Sequence, residues 1–81
     1  MFHVYVLVSL KNGKRYVGFT GETLEERLRQ HKSGSSVWTK QNAPFNLIYS
    51  ESFPDKLSAQ RRERFFKTGQ GRAFLNRVIP R

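Results

Sequence analysis

Five residues of this chain have the types that phosphate chemistry uses: Tyr5, Tyr16, Arg27, His31 and Glu63. Arg27 and His31 are four apart, the spacing that puts two side chains on one helix face, and an arginine beside a histidine is an unusual pair for a core. The arginine offers a planar fork of donors suited to phosphate oxygens, and the histidine can move a proton or hydrogen-bond a phosphate near neutral pH. A solvated helix face with His31 set against the helix dipole accounts for the same spacing. Glu63 is the sole carboxylate in a stretch crowded with Arg61, Arg62, Arg64 and Lys67. An ion pair with Lys67 one turn on is its ordinary explanation, worth about 0.3–0.5 kcal/mol. The alternative is a ligand for one hard divalent cation, with a phosphate and water completing the shell. Phosphodiester hydrolysis asks for such parts: a positioned water, a Lewis acid on the phosphate oxygens and a cation that holds charge in the transition state. Two-metal chemistry needs several convergent acids. Glu22, Glu25 and Glu26 gather at a helix start, where capping and dipole effects explain them, so one ion is the most this chain can hold.

The elements that must position these groups follow from local pattern. Tyr5 and Tyr16 lie in apolar runs on either side of Asn12-Gly13, and Asn-Gly is the strongest short hairpin signal because a type I′ turn needs positive φ at both central residues. A two-residue loop there pairs Lys11 with Lys14, Ser9 with Tyr16, Leu7 with Gly18 and Tyr5 with Thr20. Strand alternation then puts Val4, Val6, Val8, Leu10, Val17 and Phe19 on one face, with Arg15 its polar member, as the expected core. Tyr5, Leu7, Ser9, Tyr16, Gly18 and Thr20 share the other face, the expected site, with a gap at the glycine where something could approach the backbone. Two ordinary half-buried strand tyrosines are the plain alternative.

Further along, Thr23-Leu24-Glu25-Glu26 is a capping box, so a helix runs from about Leu24 to Lys32 and closes at Gly34. Ser33 to Pro44 is polar and aperiodic and reads as a loop beside the site, with Trp38 its one large apolar residue. Trp38 either stacks on a base or covers the core, and the core is favoured. Phe45, Leu47 and Tyr49 alternate with Asn46, Ile48 and Ser50, giving a third strand that ends before Pro54. Asp55 caps a second helix through about Lys67, stopped at Gly69, and Arg72 to Val78 forms a last short one. The sum is an α+β domain, an antiparallel sheet with helices.

Composition narrows the partner. With 81 residues, 37% of them apolar and eleven aromatic, residues 1–81 read as a single domain with one core. No cysteine is present, which excludes disulfides and thiolate zinc modules and is compatible with a reducing cytosol. The apolar stretch Val4 to Val8 is far too short to span a bilayer, and no signal-peptide pattern opens the chain, so a soluble cytoplasmic protein with no membrane partner is expected. Fifteen Lys and Arg stand against six Asp and Glu, a formal net charge of +9. The excess is uneven: Lys56 to Arg81 holds eight basic residues and one acid, Glu63. A nucleic acid, bound through phosphate neutralisation and counterion release, is the natural partner. A basic surface that serves only solubility or a membrane is the alternative.

Taken together these residues resemble the GIY-YIG nuclease family. The first motif appears as His3-Val4-Tyr5 and the second as Tyr16-Val17-Gly18, followed by Phe19-Thr20. Arg27 and His31 follow in Glu26-Arg27-Leu28-Arg29-Gln30-His31, and Glu63 in Arg62-Glu63-Arg64-Phe65-Phe66-Lys67. The resemblance spans nearly the whole chain and is strongest to small stand-alone bacterial members similar to the N-terminal domain of the excision-repair nuclease. It implies a three-stranded antiparallel sheet flanked by helices, in the order β-β-α-β-α-α. It also implies roles. Tyr5 acts as or orients the general base, Tyr16 holds the water or phosphate network, and Gly18 leaves room for substrate. Arg27 stabilises phosphorane charge, His31 assists proton transfer or phosphate contact, and Glu63 ligates a single Mg²⁺ or Mn²⁺. A free phenol, with a pKa of about 10, is a poor base and needs a neighbouring cation such as Lys67 or Arg27, or metal-bound water. Some members carry an asparagine near the end of the domain, for which Asn76 is the candidate, with a helix-end cap as the alternative. Thr20, Arg61, Arg64, Lys67 and Arg72 complete the expected substrate contacts.

His3 stands where the first motif has glycine, and Val4 and Val17 where the motifs have isoleucine. Valine is a mild change in a strand, whereas histidine adds bulk at the strand start and bears on substrate approach. The residues present include none of the DNA-binding modules that give other members sequence specificity, so weak selectivity is expected, with preference drawn from DNA shape or a protein partner. The function expected is a metal-dependent DNA endonuclease, in repair or recombination. The alternative is a catalytically weak nucleic-acid-binding module or adaptor that keeps the fold.

Overall fold

The computed structural model describes residues 1–33 and 37–79. The order is β1 (Phe2–Ser9), β2 (Arg15–Thr20), α1 (Leu24–Lys32), α2 (Val37–Asn42), β3 (Phe45–Phe53), α3 (Lys56–Phe66) and α4 (Gly69–Val78). The strands form one antiparallel sheet in the spatial order β2-β1-β3. β1 is therefore the central strand, and it is covered on both faces: Val4, Tyr5, Val6 and Leu7 are each no more than 1% exposed. On one face Val4 and Val6 pack with Ala59 and Phe66 of α3 and Leu75 of α4. The other face turns Tyr5 and Ser9 toward α1 and α2, where Tyr5 meets His31 and the Ser9 hydroxyl donates to the Asn42 carbonyl at 2.7 Å.

The hairpin register differs from the sequence expectation by two residues. Tyr5 pairs with Gly18, Leu7 with Tyr16 and Val8 with Arg15. Local side chains lengthen the loop. Ser9 Oγ accepts from the backbone amides of Lys11 and Asn12, and Asn12 Oδ1 accepts from Lys14 N, so residues 10–13 form the turn and only Gly13 takes positive φ, at 76°. An even shift keeps every side chain on its expected face. Leu10, however, leaves the core for the exposed turn, 58% accessible.

β3 carries the second departure. Val6 pairs with Tyr49 but Leu7 with Leu47, a bulge at Ile48 that reverses the alternation. Tyr49 thus turns to the core beside Phe66 and Phe74, while Phe45 faces His31 and Trp38. A helix, α2, occupies part of the expected loop and holds Trp38; the expected stop at Gly34 lies outside the described residues. α1 carries its cap as read, with Thr23 Oγ1 accepting from Glu26 N at 3.2 Å. Asp55 likewise caps α3 by accepting from Ser58 N at 2.8 Å. α4 begins three residues earlier than expected because Thr68 caps it through Gly71 N, making Gly69 its first residue instead of a stop.

Arg62 ties α3 to β3. Its guanidinium lies 4.7 Å from the ring centroids of Phe66 and Phe74 and makes two hydrogen bonds to the Glu51 carboxylate, at 2.8 and 3.2 Å. Burial alone would raise the Glu51 pKa, but the hydrogen bonds from Arg62 and Tyr49 and the Arg62 charge outweigh it and hold the carboxyl below its usual range. Arg62 is thereby engaged in the fold, unlike the exposed Arg61 and Arg64 on the same helix.

Candidate active site

The centre of the second face is the Tyr5 hydroxyl. Arg27 Nε donates to it at 3.1 Å, and it lies 2.8 Å from His31 Nε2. Helical spacing delivers both partners, since Arg27 and His31 sit one turn apart on α1 above β1. Tyr5 and His31 are each 1% exposed, and Arg27 is half-buried over them. Burial pushes the phenol pKa above its ordinary value, the hydrogen bond and charge of Arg27 opposing that only in part. Burial, helped by the Arg27 charge, pushes the His31 pKa down. In the tautomer with the imidazole proton on Nδ1, the phenol donates to His31 Nε2. Arg27 in turn is held more firmly protonated, first by its bond to Tyr5.

Gly18 lies directly across the ladder from Tyr5. A Cβ there would fall 2.5 Å from Tyr5 Cζ and 2.8 Å from Tyr16 Cε2. The space left by the missing side chain is therefore filled by the Tyr5 ring, and the glycine acts by letting that ring lie flat across β2. Tyr16 completes the wall, its ring 5.5 Å from that of His31 and 5.2 Å from that of Trp38. Trp38 also packs on Phe45, which itself meets His31 edge-on at 6.0 Å.

Glu63 comes from the opposite layer. It lies on α3 between Ala59 and Phe66, and its negative charge reaches Tyr5 strongly enough to add to the rise of the phenol pKa. Its side chain is 25% exposed and meets Lys67 Nζ at 3.5 Å, one helical turn on. Among the described residues no group of three or more His, Asp or Glu converges. Asn76, on α4, accepts from Arg15 Nη1 at 2.8 Å. Thr20 is buried and uses its hydroxyl to accept from Glu22 N at 3.0 Å, closing the turn into α1. Arg61 and Arg64 are exposed on α3, and Arg72 is exposed on α4. His3 places Nδ1 3.0 Å from Ser52 Oγ on β3, so its bulk is turned to a strand–strand contact.

The sequence pattern gives no role to Gln30 and only a helix-start role to Glu22. Gln30 accepts from Arg27 Nη1 at 2.8 Å through Oε1, and its amide nitrogen donates to both Glu22 carboxylate oxygens, at 2.9 and 3.2 Å. Glu22 is thus the anchor of a chain that aims Arg27 at Tyr5, beyond any helix-start role. The three-residue spacing of Arg27 and Gln30 was the available signal, and it is too common on helix surfaces to stand out.

The chain as a whole is similar to known proteins. The family model described as the GIY-YIG catalytic domain matches residues 1–76. The chain belongs to the GIY-YIG family. Its relatives within that family are UPF0213 proteins. It is 35% identical to one from Bacillus subtilis over 66 residues, 80% of this chain and 66% of that protein. It is 36% identical to one from Xanthomonas axonopodis over 63 residues, 76% of this chain and 60% of that protein. The chain therefore spans a little under two-thirds of the length of these two relatives. The GIY-YIG fold is matched in the solution NMR structure of a UPF0213 protein from Bacillus halodurans, with a TM-score of 0.57 and 29% identity over 96% of this chain and 85% of that one. The three-stranded antiparallel sheet flanked by helices, expected from the resemblance, is the fold observed, with α2 added to the expected order.

Proposed function

We propose that this GIY-YIG protein is an endonuclease that hydrolyses DNA phosphodiester bonds with one divalent cation, Mg²⁺ or Mn²⁺. The observation that carries this is the Tyr5 hydroxyl held between Arg27 Nε and His31 Nε2. A phenol with a raised pKa cannot take a water proton unaided. Here it has an outlet: as Tyr5 O accepts a proton from the attacking water, its own proton passes to the neutral His31 Nε2. The lowered His31 pKa keeps that acceptor empty at neutral pH. Arg27 covers the phenol in the free protein, and its exchange of Tyr5 for phosphate oxygens both uncovers the base and brings a planar cation to the developing charge. Gln30 and Glu22 keep the guanidinium in line for that exchange. Tyr16 flanks the phosphate.

The Glu63 position fits a hard cation. It is a single carboxylate, three-quarters covered, whose contact with Lys67 a bound ion would replace, and an oxygen donor of this kind suits Mg²⁺ or Mn²⁺ when phosphate and water supply the other ligands. A bound ion would supply Lewis-acid polarisation of the phosphate. The net charge of +9 supplies the attraction for DNA. A cytoplasmic role in repair or recombination, with a protein partner adding selectivity, is the setting this reading suits; among the described residues no helix is long and apolar enough to cross a membrane.

A second reading, a DNA-binding module with little catalysis, is favoured by the enclosure of Tyr5 at 1% exposure. Arg27→Ala separates the two. The hydrolytic reading expects cleavage to fall by on the order of 100-fold or more while salt-sensitive binding persists. A parent protein that binds but never cleaves would support the module.

A further inference from the structure

Beside the candidate active site runs a groove of about 960 Å³ along the exposed edge of β2. Four of its lining residues are cations, Lys14, Arg15, Lys67 and Arg72, and none is an acid. Its floor is apolar, formed by half-buried residues such as Val8, Val17 and Ile48, and one wall is the Tyr16–Trp38 pair with rings 5.2 Å apart. The groove adjoins the active site at two points: Tyr16 also touches Tyr5 and His31, and Lys67 pairs with Glu63.

We propose that this groove binds an unpaired DNA strand and leads it to the Tyr5 site, so that a substrate with a single-stranded tail or gap is preferred over blunt duplex. Charge and polarity together select this occupant. The cations match a phosphate backbone. A duplex hides the faces of its bases in the stack and offers only phosphates, sugars and groove edges, so it gains nothing from an apolar floor. Unpaired bases present apolar faces, which stack on aromatic rings with little sequence preference, worth about 1–3 kcal/mol per base. A basic rim over an apolar, aromatic bed suits a single strand and is poorly used by any other form of DNA. Arg15, fixed by Asn76 at 2.8 Å, is pre-positioned at the rim and so loses less freedom on binding. The proposal deepens the nuclease reading but is tested by binding alone, so the two fail separately.

The experiment uses the protein in EDTA with fluorescein-labelled single-stranded DNA, blunt duplex and duplex with a single-stranded tail, followed by anisotropy over a range of salt. The single strand and the tailed duplex are expected to bind at least about tenfold more tightly than the blunt duplex at equal salt. Unlabelled single strand should quench the fluorescence of Trp38, the only tryptophan of the chain. Lys14→Ala and Arg72→Ala, both at exposed positions that leave the core untouched, should each lower the salt slope for single strand by about 0.7. Equal or tighter binding of blunt duplex, an unquenched Trp38, or an unchanged slope in both variants would overturn the proposal. Duplex cleavage without single-strand preference would leave the nuclease reading standing and this one refuted. Single-strand binding without cleavage of any DNA would do the reverse.

Discussion

Tyr5 is a residue whose position is over-determined. The Gly18 backbone lies beneath its ring, Arg27 and His31 hold its hydroxyl, and Tyr16 borders its edge. Gly18→Ala should therefore displace the ring and break both hydrogen bonds, lowering stability by about 1–3 kcal/mol in urea unfolding and shifting the His31 imidazole NMR signals. His31 gives a pH prediction. Its folded pKa lies below the ordinary value, so the unfolded chain binds more protons in the window just below about pH 6.5. The stability it contributes is present above that pH and declines as pH falls through the window. The melting temperature should fall on acidification toward pH 5, and less so in His31→Gln. Because the working form of His31 is neutral, cleavage should persist to a lower pH than an ordinary histidine allows. A cleavage rate already lost on acidification to about pH 7, above the ordinary histidine range, would contradict the relay. These roles were only partly legible in the sequence. The spacing of Arg27 and His31 marked a shared face, but nothing in it distinguished a solvated face from one closed over Tyr5. That distinction depends on which residue of β1 lies beneath the helix.

At the scale of elements, local chemistry that leaves its mark on a few adjacent residues was readable, and chemistry that depends on distant partners was not. The Thr23 and Asp55 caps and the three strands stand where pattern puts them. The hairpin register departs from the Asn-Gly expectation because Ser9 and Asn12 compete for the turn amides, a side-chain effect that overrides the two-residue turn preference. The bulge at Ile48 left no mark in an alternating sequence, yet it sends Phe45 to the site and Tyr49 to the core. α2 was hidden because a six-residue helix shows too little periodicity to recognise. Thr68 explains the early start of α4, and Thr68→Ala should cost about 1 kcal/mol of stability, measured by denaturant unfolding. If α4 were held by packing alone, that substitution would be silent.

For the whole molecule, layering explains how so short a chain holds a site. Placing β1 between α3/α4 and α1/α2 lets one strand serve the core through Val4 and Val6 and the site through Tyr5. The site's ionisable groups come from both helical layers, Arg27 and His31 from one and Glu63 from the other, so its assembly depends on the sheet being correctly sandwiched. Glu63 was legible as the lone acid among bases, though its approach to Tyr5 across layers was not. The most direct test of the hydrolytic account is nicking of supercoiled plasmid by the parent protein and by Glu63→Ala, each with Mg²⁺, Mn²⁺ or EDTA. The account predicts nicking by the parent that requires the metal and is abolished in Glu63→Ala, with salt-sensitive DNA binding retained. Nicking that survives either EDTA or the substitution would contradict it, as would a parent protein that binds plasmid and leaves it intact with both metals.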